Sequence, residues 1–242
     1  MMHFVFPSFE GFPVEMGVTT RDFPLFFSSV SDLDDPERTA SLQNMFPASQ
    51  YWVYPEQIHG PIVTYLLEEA VRSGGRFQKI LGTDGLLTNA PHTTLSILTA
   101  DCLPIFFLAP EPLTIGLIHV GWRGCVGAIA QAAVEQLCCA TRQSPAVFQV
   151  VFGPCIRDCC YQVGEAFRDG FPESVLQRGG LYYLDLVKEN RRQLVSAGIK
   201  EENIHGDPLC TCCHAETFYS YRKEKEKAGR MLSWIRIRNV LA

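Results

Sequence analysis

Hydrophobic residues alternate with polar ones, or form short uninterrupted runs, in several parts of the chain, and both patterns are typical of β-strands. The pattern predicts strands at 51–54, 62–67, 95–108, 113–120, 146–152 and 231–240. The runs at 95–108 and 113–120 are joined by Pro110, Glu111 and Pro112, so we expect them to pair as an antiparallel hairpin.

Apolar residues at helical spacing predict a helix from Val126 to Thr141, directly after Gly121-Trp122-Arg123-Gly124. Weaker helical patterns cover 163–170 and 185–197, and the charged run from Arg222 to Lys227 is interpreted as a solvated loop. No long repeat and no linker-like segment divides the chain. We therefore expect one α+β domain over residues 1–242, with largely antiparallel strands and flanking helices.

The overall composition limits the classes of function. The chain has 242 residues, 47% hydrophobic and 19% charged, with a formal net charge of -5. A general nucleic-acid or anionic-membrane surface needs clustered Lys and Arg, so we expect a small-molecule partner and neither of these. The longest apolar runs, such as 105–109, are too short for a membrane span, and the N-terminus does not resemble a secretory signal. We expect a cytoplasmic protein of undetermined oligomeric state.

Cysteine is abundant, with ten residues in the chain. Six of them form adjacent pairs, at 138–139, 159–160 and 212–213, which differs from the even framework of a small secreted domain. We interpret the ten as reduced thiols, most of them small buried hydrophobic residues.

Three potential metal ligands, His59, Cys102 and His119, lie in turns or at the ends of predicted strands. Two imidazoles and one thiolate match the preference of zinc for nitrogen and sulfur, and three protein ligands leave the fourth position open, as in catalytic zinc sites. Their spacing matches no short zinc motif. From the residues alone, His119 can equally be a hydrogen-bonded core histidine and Cys102 a core filler.

Other polar residues allow more than one interpretation each. The segment Cys210 to His214 is a competing metal candidate, but it lacks the two paired half-sites that a structural zinc centre usually needs. Arg123 precedes the predicted helix and Arg222 follows an aromatic segment, so either can bind phosphate or pair with a carboxylate. Asp101 can transfer protons, orient an imidazole or stabilise a turn.

An ordered series of motifs extends from residue 57 to residue 231. The motifs are Gln57-Ile58-His59-Gly60, Asp84-Gly85, Thr99-Ala100-Asp101-Cys102-Leu103-Pro104, His119-Val120-Gly121-Trp122-Arg123-Gly124, Gly153-Pro154-Cys155-Ile156, Cys160-Tyr161-Gln162-Val163-Gly164, Cys210-Thr211, Phe218-Tyr219-Ser220-Tyr221-Arg222 and Gly229-Arg230-Met231. This series resembles the family called multicopper polyphenol oxidase, laccase-domain or YfiH-type protein, which is regarded as a family of purine nucleoside phosphorylases.

The resemblance implies a fold, a metal centre and an activity. His59, Cys102 and His119 fall on the zinc ligands of the family, with copper the less favoured metal. The implied fold is a mixed α/β sandwich related to a deamidase toxin domain. The implied activity is phosphorolysis of adenosine, inosine and S-methyl-5′-thioadenosine, together with some adenosine deamination.

The resemblance leaves other residues without a role. Cys155, Cys160 and Cys210 match the family pattern, but no metal role is implied for them. The N-terminal motif of the family is altered here, where Arg21 is followed by Asp22-Phe23-Pro24, which argues against a substrate role for Arg21.

The expected phosphorolysis has phosphate near Arg123 attacking ribose C1′, and the expected deamination has Asp101 as proton shuttle. One alternative is an amide hydrolase that acts on a cell-wall precursor, with Cys102 as nucleophile and His119 or His59 as base. Another is a non-catalytic binding module stabilised by zinc. A copper phenol oxidase is disfavoured because six histidines are too few for a multicopper centre.

Overall fold

The computed structural model describes residues 3–4, 9 and 11–238, which contain fifteen strands and seven α-helices. The strands are β1 His3–Phe4, β2 Val14–Thr19, β3 Tyr51–Pro55, β4 Val63–Leu66, β5 Phe77–Ile80, β6 Gly85–Thr88, β7 Thr93–Thr99, β8 Leu103–Pro110, β9 Leu113–Val120, β10 Gln149–Phe152, β11 Gln162–Val163, β12 Val175–Arg178, β13 Leu181–Leu184, β14 Ile204–His205 and β15 Met231–Ile237. The helices are α1 Pro36–Met45, α2 Glu68–Ser73, α3 Trp122–Val126, α4 Ile129–Thr141, α5 Phe167–Gly170, α6 Leu186–Ser196 and α7 Tyr221–Glu224.

The strands form two large sheets and one small one. The first sheet has the order β1-β2-β15-β7-β3-β5, and the second has the order β14-β10-β8-β9-β6-β4. The third sheet has three strands in the order β11-β13-β12, and none of these strands pairs with a strand of the two large sheets. Most of the described pairs are antiparallel, and β3 pairs in parallel with both β5 and β7. These mixed sheets confirm the α+β prediction.

The two large sheets pack face to face because their strands alternate between two apolar surfaces. In β8, Phe106 and Leu108 belong to the core shared with the first sheet, whereas Ile105 and Phe107 belong to the core beneath α4 and α6. The outer face of the first sheet packs against α1, where Leu42 is fully buried. The layers are therefore helix, sheet, sheet and helices, as expected for an α/β sandwich.

Several predicted elements are confirmed with shifted boundaries. The hairpin of β8 and β9 pairs Pro110 with Leu113, and the predicted helix at 185–197 is α6. The strand predicted at 146–152 begins only at Gln149, after a 3-10 turn at Pro145–Val147. The strand predicted at 231–240 is β15, which ends at Ile237; residues 239–240 lie outside the described residues.

Other predictions were wrong. The run at 95–108 is two strands, because the chain passes from the first sheet to the second at 100–102. The helix predicted at 126–141 is interrupted between α3 and α4, where Ala128 takes a left-handed conformation with φ 60°. Only 167–170 of the helix predicted at 163–170 is helical.

The charged run after Tyr221 is likewise not a plain loop. It forms α7 and a 3-10 turn at Lys225–Lys227, and Arg222 and Lys225 both line the main cavity.

Every helix among the described residues is too short or too polar to traverse a bilayer.

Candidate metal centre and active site

The three predicted metal ligands converge where the chain crosses between the two large sheets. His59 follows β3 of the first sheet, Cys102 lies between β7 and β8, and His119 is the penultimate residue of β9. One ligand atom from each residue lies within 4.8 Å of the other two. The structure therefore brings together side chains that are separated by up to sixty positions in the sequence.

The loop that carries His59 is fastened to β7 by the side chain of Gln57. The Gln57 amide donates to the Leu98 carbonyl at 2.7 Å and accepts from the Leu98 N–H at 2.8 Å. Gln57 and His59 both have left-handed backbones, with φ 60° and 62°. Residues other than glycine adopt a left-handed backbone at an energetic cost. Its presence at two nearby residues is therefore typical of a functional loop that is held in place by its surroundings.

Asp84 is the residue that organises the two imidazoles. Its carboxylate accepts from His119 Nδ1 at 2.9 Å, from the His59 N–H at 2.8 Å and from the Gly60 N–H at 2.7 Å, and its side chain is fully buried. Because Nδ1 of His119 faces the carboxylate, Nε2 is free to bind a metal ion. A carboxylate behind a histidine in this way fixes the ring and raises its affinity for metal.

The main chain leaves little space beside the ligands. A Cβ atom at Gly121 would lie 3.2 Å from His59 Cδ2 and 3.3 Å from Cys102 Sγ. Any larger residue at position 121 would therefore crowd both candidate ligands. The rings of His59 and His119 are nearly perpendicular, with centroids 4.7 Å apart.

The ligands interact strongly even without a metal ion. Burial alone would raise the pKa of the Cys102 thiol, but the charge of His119 and hydrogen bonds from His119 and His59 lower it to about 6. Burial opposes the charge on His119, but the Cys102 thiolate and Asp84 raise its pKa to about 9. At neutral pH the metal-free pair is therefore a thiolate beside an imidazolium.

The donor set fits a tetrahedral metal ion. Ligands at zinc distances lie roughly 3.3–3.8 Å apart, so three donors within 4.8 Å need to move by only about 1 Å. A blue-copper site uses two histidines and one cysteine as well, but adds a weak axial Met, Gln or backbone oxygen. The glutamine that lines the cavity is Gln57, and its amide is already hydrogen-bonded to the Leu98 backbone instead of being available as such an axial ligand.

A cavity of about 800 Å³ opens beside the three ligands, a size suited to a small-molecule substrate. Its walls come from several distant segments of the chain. They include residues 28–31, 56–57, 98–102, 119, 121–123, 221–222, 225 and 230, together with His59, Lys79, Ile156, Tyr161 and Leu186.

The two arginines predicted to bind phosphate both line this cavity. Arg123 is exposed and stacks over the Trp122 ring at 4.4 Å, and no described carboxylate pairs with it. Arg222 donates to the Gln162 carbonyl at 2.9 Å and lies 5.4 Å from the centre of the Tyr161 ring. Arg230, which the sequence interpretation did not single out, lines the cavity as well.

Asp101 connects the ligand Cys102 to the far wall of the cavity. Its buried carboxylate accepts from Thr211 Oγ1 at 2.6 Å and from the Arg222 N–H at 2.6 Å. The Asp101 backbone is left-handed, with φ 88°. The residue therefore joins the crossing between the sheets to the segments at 211 and 222, whereas Asp84 orients His119.

Arg21 is not one of the residues that line this cavity. Its guanidinium pairs with Glu224, donates to the Phe218 carbonyl at 3.0 Å and stacks on Tyr219. Arg21 thus fastens the segment that precedes α7.

Asp84 and Tyr161 were missed as functional candidates, although both stood in motifs of the series. The available signal for Asp84 was a charged residue between two apolar runs, at the start of β6. Its three partners lie 24 to 35 positions away, so sequence spacing could not indicate them.

The family model described as multi-copper polyphenol oxidoreductase laccase matches residues 17–238. This chain belongs to that family. A purine nucleoside phosphorylase named YlmD from Geobacillus stearothermophilus is 35% identical over 201 residues, which cover 78% of this chain and 73% of the relative. Adenosine deaminase RL5, from an unknown prokaryotic organism, is 31% identical over 196 residues, covering 76% and 74%.

The fold agrees with solved structures of family members. The crystal structure of YlmD from Geobacillus stearothermophilus superposes with a TM-score of 0.81 at 31% identity, covering 94% of this chain and 93% of that one. The Bacillus licheniformis protein YfiH gives the same TM-score at 29% identity, covering 93% of each chain. These likenesses confirm the predicted family and fold class.

Proposed function

We propose that this protein is a zinc-dependent purine nucleoside phosphorylase that cleaves adenosine, inosine and S-methyl-5′-thioadenosine with phosphate, with adenosine deamination as a side activity. The observation that carries the proposal is the convergence of His59, Cys102 and His119 on a cavity that also contains unpaired positive charge. The activities named for the two relatives are the basis for the substrate class.

His59, Cys102 and His119 would hold the zinc ion, with Asp84 fixing the His119 ring. When bound, the ion supplies positive charge that stabilises negative charge developing on the substrate. Three protein ligands would leave the fourth coordination position for water or substrate.

Arg123, Arg222 and Arg230 supply positive charge to the same cavity, where phosphate would bind. Phosphate held by these side chains can approach ribose C1′ in a fixed orientation. A C1′–O bond to phosphate then forms while the C1′–N9 bond to the purine breaks. The products are ribose 1-phosphate, or its 5-methylthio form, and the free base.

Tyr161 is our candidate for the group that donates a hydrogen bond or proton to the departing purine. It lines the cavity, and burial together with the charge of Cys102 raises the pKa of its hydroxyl, so the hydroxyl remains protonated at neutral pH. For the deamination, Asp101 is the proposed proton shuttle, because it lies next to Cys102 on the cavity wall.

The proposal is tested by following adenosine, inosine and S-methyl-5′-thioadenosine with and without phosphate, and identifying the sugar product. Free base with ribose 1-phosphate, only when phosphate is present, is the expected result. Free ribose would indicate hydrolysis, and inosine formed from adenosine would indicate the deaminase activity. No reaction of zinc-loaded protein with any of the three nucleosides would contradict the proposal.

A second candidate is favoured by one specific observation, the thiolate and imidazolium of Cys102 and His119 backed by Asp84. Without a metal ion, these groups form a Cys-His-Asp arrangement suited to amide hydrolysis. Activity on amide substrates that survives chelation and is lost on alkylation of Cys102 would support this alternative. A non-catalytic zinc module, in contrast, would unfold on metal removal.

A phenol oxidase is less compatible with the site. Of the histidines whose side chains the structure describes, His59 and His119 belong to the cluster with Cys102. His205 instead contacts Gln149, and His214 contacts Glu216. The remaining ligands of a multicopper centre would have to come from other residues.

A further inference from the structure

Four cysteines form a second cluster of potential metal ligands: Cys159, Cys160, Cys210 and Cys213. Their sulfur atoms all lie within 4.8 Å of one another. The Sγ atom of Cys213 is 3.5 Å from that of Cys159 and 3.4 Å from that of Cys160. Cys210 is buried, Cys160 is half-buried, and the other two are exposed, so the cluster lies at the surface.

The cluster joins two tight turns that are distant in sequence. In the first turn, the N–H of Cys160 donates to the Arg157 carbonyl at 2.9 Å. In the second, the N–H of His214 donates to the Cys210 carbonyl at 3.0 Å. The segment at 210 was predicted to lack a second half-site, and Cys159 with Cys160 now supplies it. Cys212 and His214 do not belong to the four.

The two turns are held in place by the backbone and by one arginine. Cys155 and Cys210 form a parallel bridge, in which the Thr211 N–H donates to the Cys155 carbonyl at 3.0 Å. The Arg157 guanidinium donates to Asp207 at 2.7 Å and to the Pro208 carbonyl at 2.8 Å. The sulfur atoms therefore meet on a framework that is held by backbone hydrogen bonds and by Arg157, and not by the thiols.

The spacing of the sulfur atoms distinguishes metal binding from disulfide formation. A disulfide requires about 2.05 Å between sulfurs, whereas thiolates around a tetrahedral zinc ion lie roughly 3.8 Å apart. The sulfur of Cys213 lies 3.4 Å from that of Cys160 and 3.5 Å from that of Cys159, and all ten cysteines are free. Four thiolates in a reduced protein are the usual ligand set of a closed, structural zinc site.

We propose that Cys159, Cys160, Cys210 and Cys213 bind a second zinc ion in a closed tetrahedral site. All four positions of this ion are filled by protein, so it takes no part in chemistry. Its binding is independent of the proposed function, because none of the four cysteines lines the cavity.

The second zinc stabilises the cavity wall through the two turns that it joins. Thr211, next to Cys210, donates to the Asp101 carboxylate at 2.6 Å, and the Ile156 N–H donates to the Asp101 carbonyl at 2.9 Å. Tyr161, next to Cys160, lines the cavity. Loss of the ion is therefore expected to loosen Asp101 and Tyr161 while His59, Cys102 and His119 retain their own metal.

The test is the metal content of full-length protein purified under reducing conditions, measured by native mass spectrometry and elemental analysis. The wild-type chain is expected to hold about two zinc ions. Cys213→Ser and Cys102→Ala should each hold about one, and the double variant none. Cys139→Ser, which changes an exposed thiol outside both clusters, should keep both ions.

Replacement of zinc by cobalt identifies the ligands without relying on activity. The intensity of the thiolate-to-cobalt charge-transfer band increases with the number of thiolates, so most of it should disappear in Cys213→Ser and remain in Cys102→Ala. One ion in the wild-type chain that is lost in Cys102→Ala, or a disulfide among the four cysteines in the reduced protein, would overturn the proposal. Iron in place of zinc would overturn the identity assigned to the ion. These outcomes need only the wild type and Cys102→Ala, so misfolding of Cys213→Ser would not prevent this test.

Discussion

The Asp84 carboxylate lies 2.9 Å from Nδ1 of His119 and, at the same time, accepts the backbone N–H of His59 at 2.8 Å. One buried side chain therefore sets the ring orientation of one candidate metal ligand and the loop position of another. Three N–H donors in all stabilise the negative charge of this carboxylate, and the third is the backbone N–H of Gly60.

Asp84→Asn is expected to weaken zinc binding by roughly 10- to 100-fold, because the amide cannot accept from all three donors. Zinc affinity is measured by competition with a chromogenic chelator. Thr83→Val is the matched control, since it removes hydroxyl bonds to Ile62 and Gly85 in the same segment and leaves the contacts to the imidazole in place. Equal losses of affinity in the two variants would show that Asp84 has only a structural role.

The reactivity of Cys102 should change with pH in a defined direction. The lowered pKa, about 6, keeps the thiol of the metal-free protein largely ionised at pH 7, whereas an ordinary cysteine, with a pKa of about 8.5, is mostly protonated. Alkylation of Cys102 by iodoacetamide should therefore be near its maximum rate at pH 7 and fall below pH 6. Peptide mass spectrometry separates this site from exposed Cys139, and bound zinc should protect Cys102 but not Cys139. A rate for Cys102 that still rises steeply above pH 8 would contradict the prediction.

Asp101 is expected to serve the phosphate site through Arg222. In Asp101→Asn the new amide group would face either the Arg222 N–H or the Thr211 hydroxyl, each of which now donates to a carboxylate oxygen. We predict a KM for phosphate that is raised by about 10-fold, the loss expected from one misplaced charged contact. Thr211→Val removes only the contact of the hydroxyl and should change this KM less.

The same variant tests the proposed proton transfer. If Asp101 is the shuttle for deamination, Asp101→Asn lowers the kcat of inosine formation by about 100-fold or more while base release is affected mainly through KM. A deaminase kcat that is unchanged would remove Asp101 from that role.

Glu189 on α6 should make stability depend on acid pH. Burial opposes its ionisation, but hydrogen bonds from Arg192, Ser174 and Gln193 lower its pKa below 4.5. A carboxyl group whose pKa is lowered by folding stabilises the folded state at pH values above its ordinary pKa. This stabilisation is lost as the pH falls through the pKa that the group has in the folded state. Glu189→Gln should therefore cost about 2 kcal/mol at pH 7, and progressively less below pH 4.5.

Urea unfolding at several pH values measures this difference. Glu201→Gln is the control, because Glu201 is 61% exposed and pairs with Arg191 at the surface, where an ion pair contributes little. A constant gap between Glu189→Gln and the wild type from pH 7 to pH 3.5 would contradict the assignment.

Sequence patterns predicted most strands because alternation and apolar runs follow directly from burial in a sheet. They failed at 100–102, where an apolar run continues across two strands that belong to different sheets. No local signal marks that crossing, since tertiary packing decides which face of each strand is buried. The crossing is also what places Cys102 opposite His59 and His119.

The candidate site was predictable only in part. The three candidate metal ligands were predicted from residue chemistry together with the family motifs. Asp84 and the pairing of Cys159 and Cys160 with Cys210 and Cys213 depend on contacts between segments about 25 to 55 positions apart, which one sequence does not reveal.

The most direct test of the proposed activity is zinc titration of metal-free protein with inosine and phosphate, following hypoxanthine and ribose 1-phosphate. The proposal predicts that base release is absent without metal, returns as zinc is added, requires phosphate, and stays absent in a folded Cys102→Ala variant. Full release by the metal-free chain, or none by the zinc-loaded wild type, would contradict it.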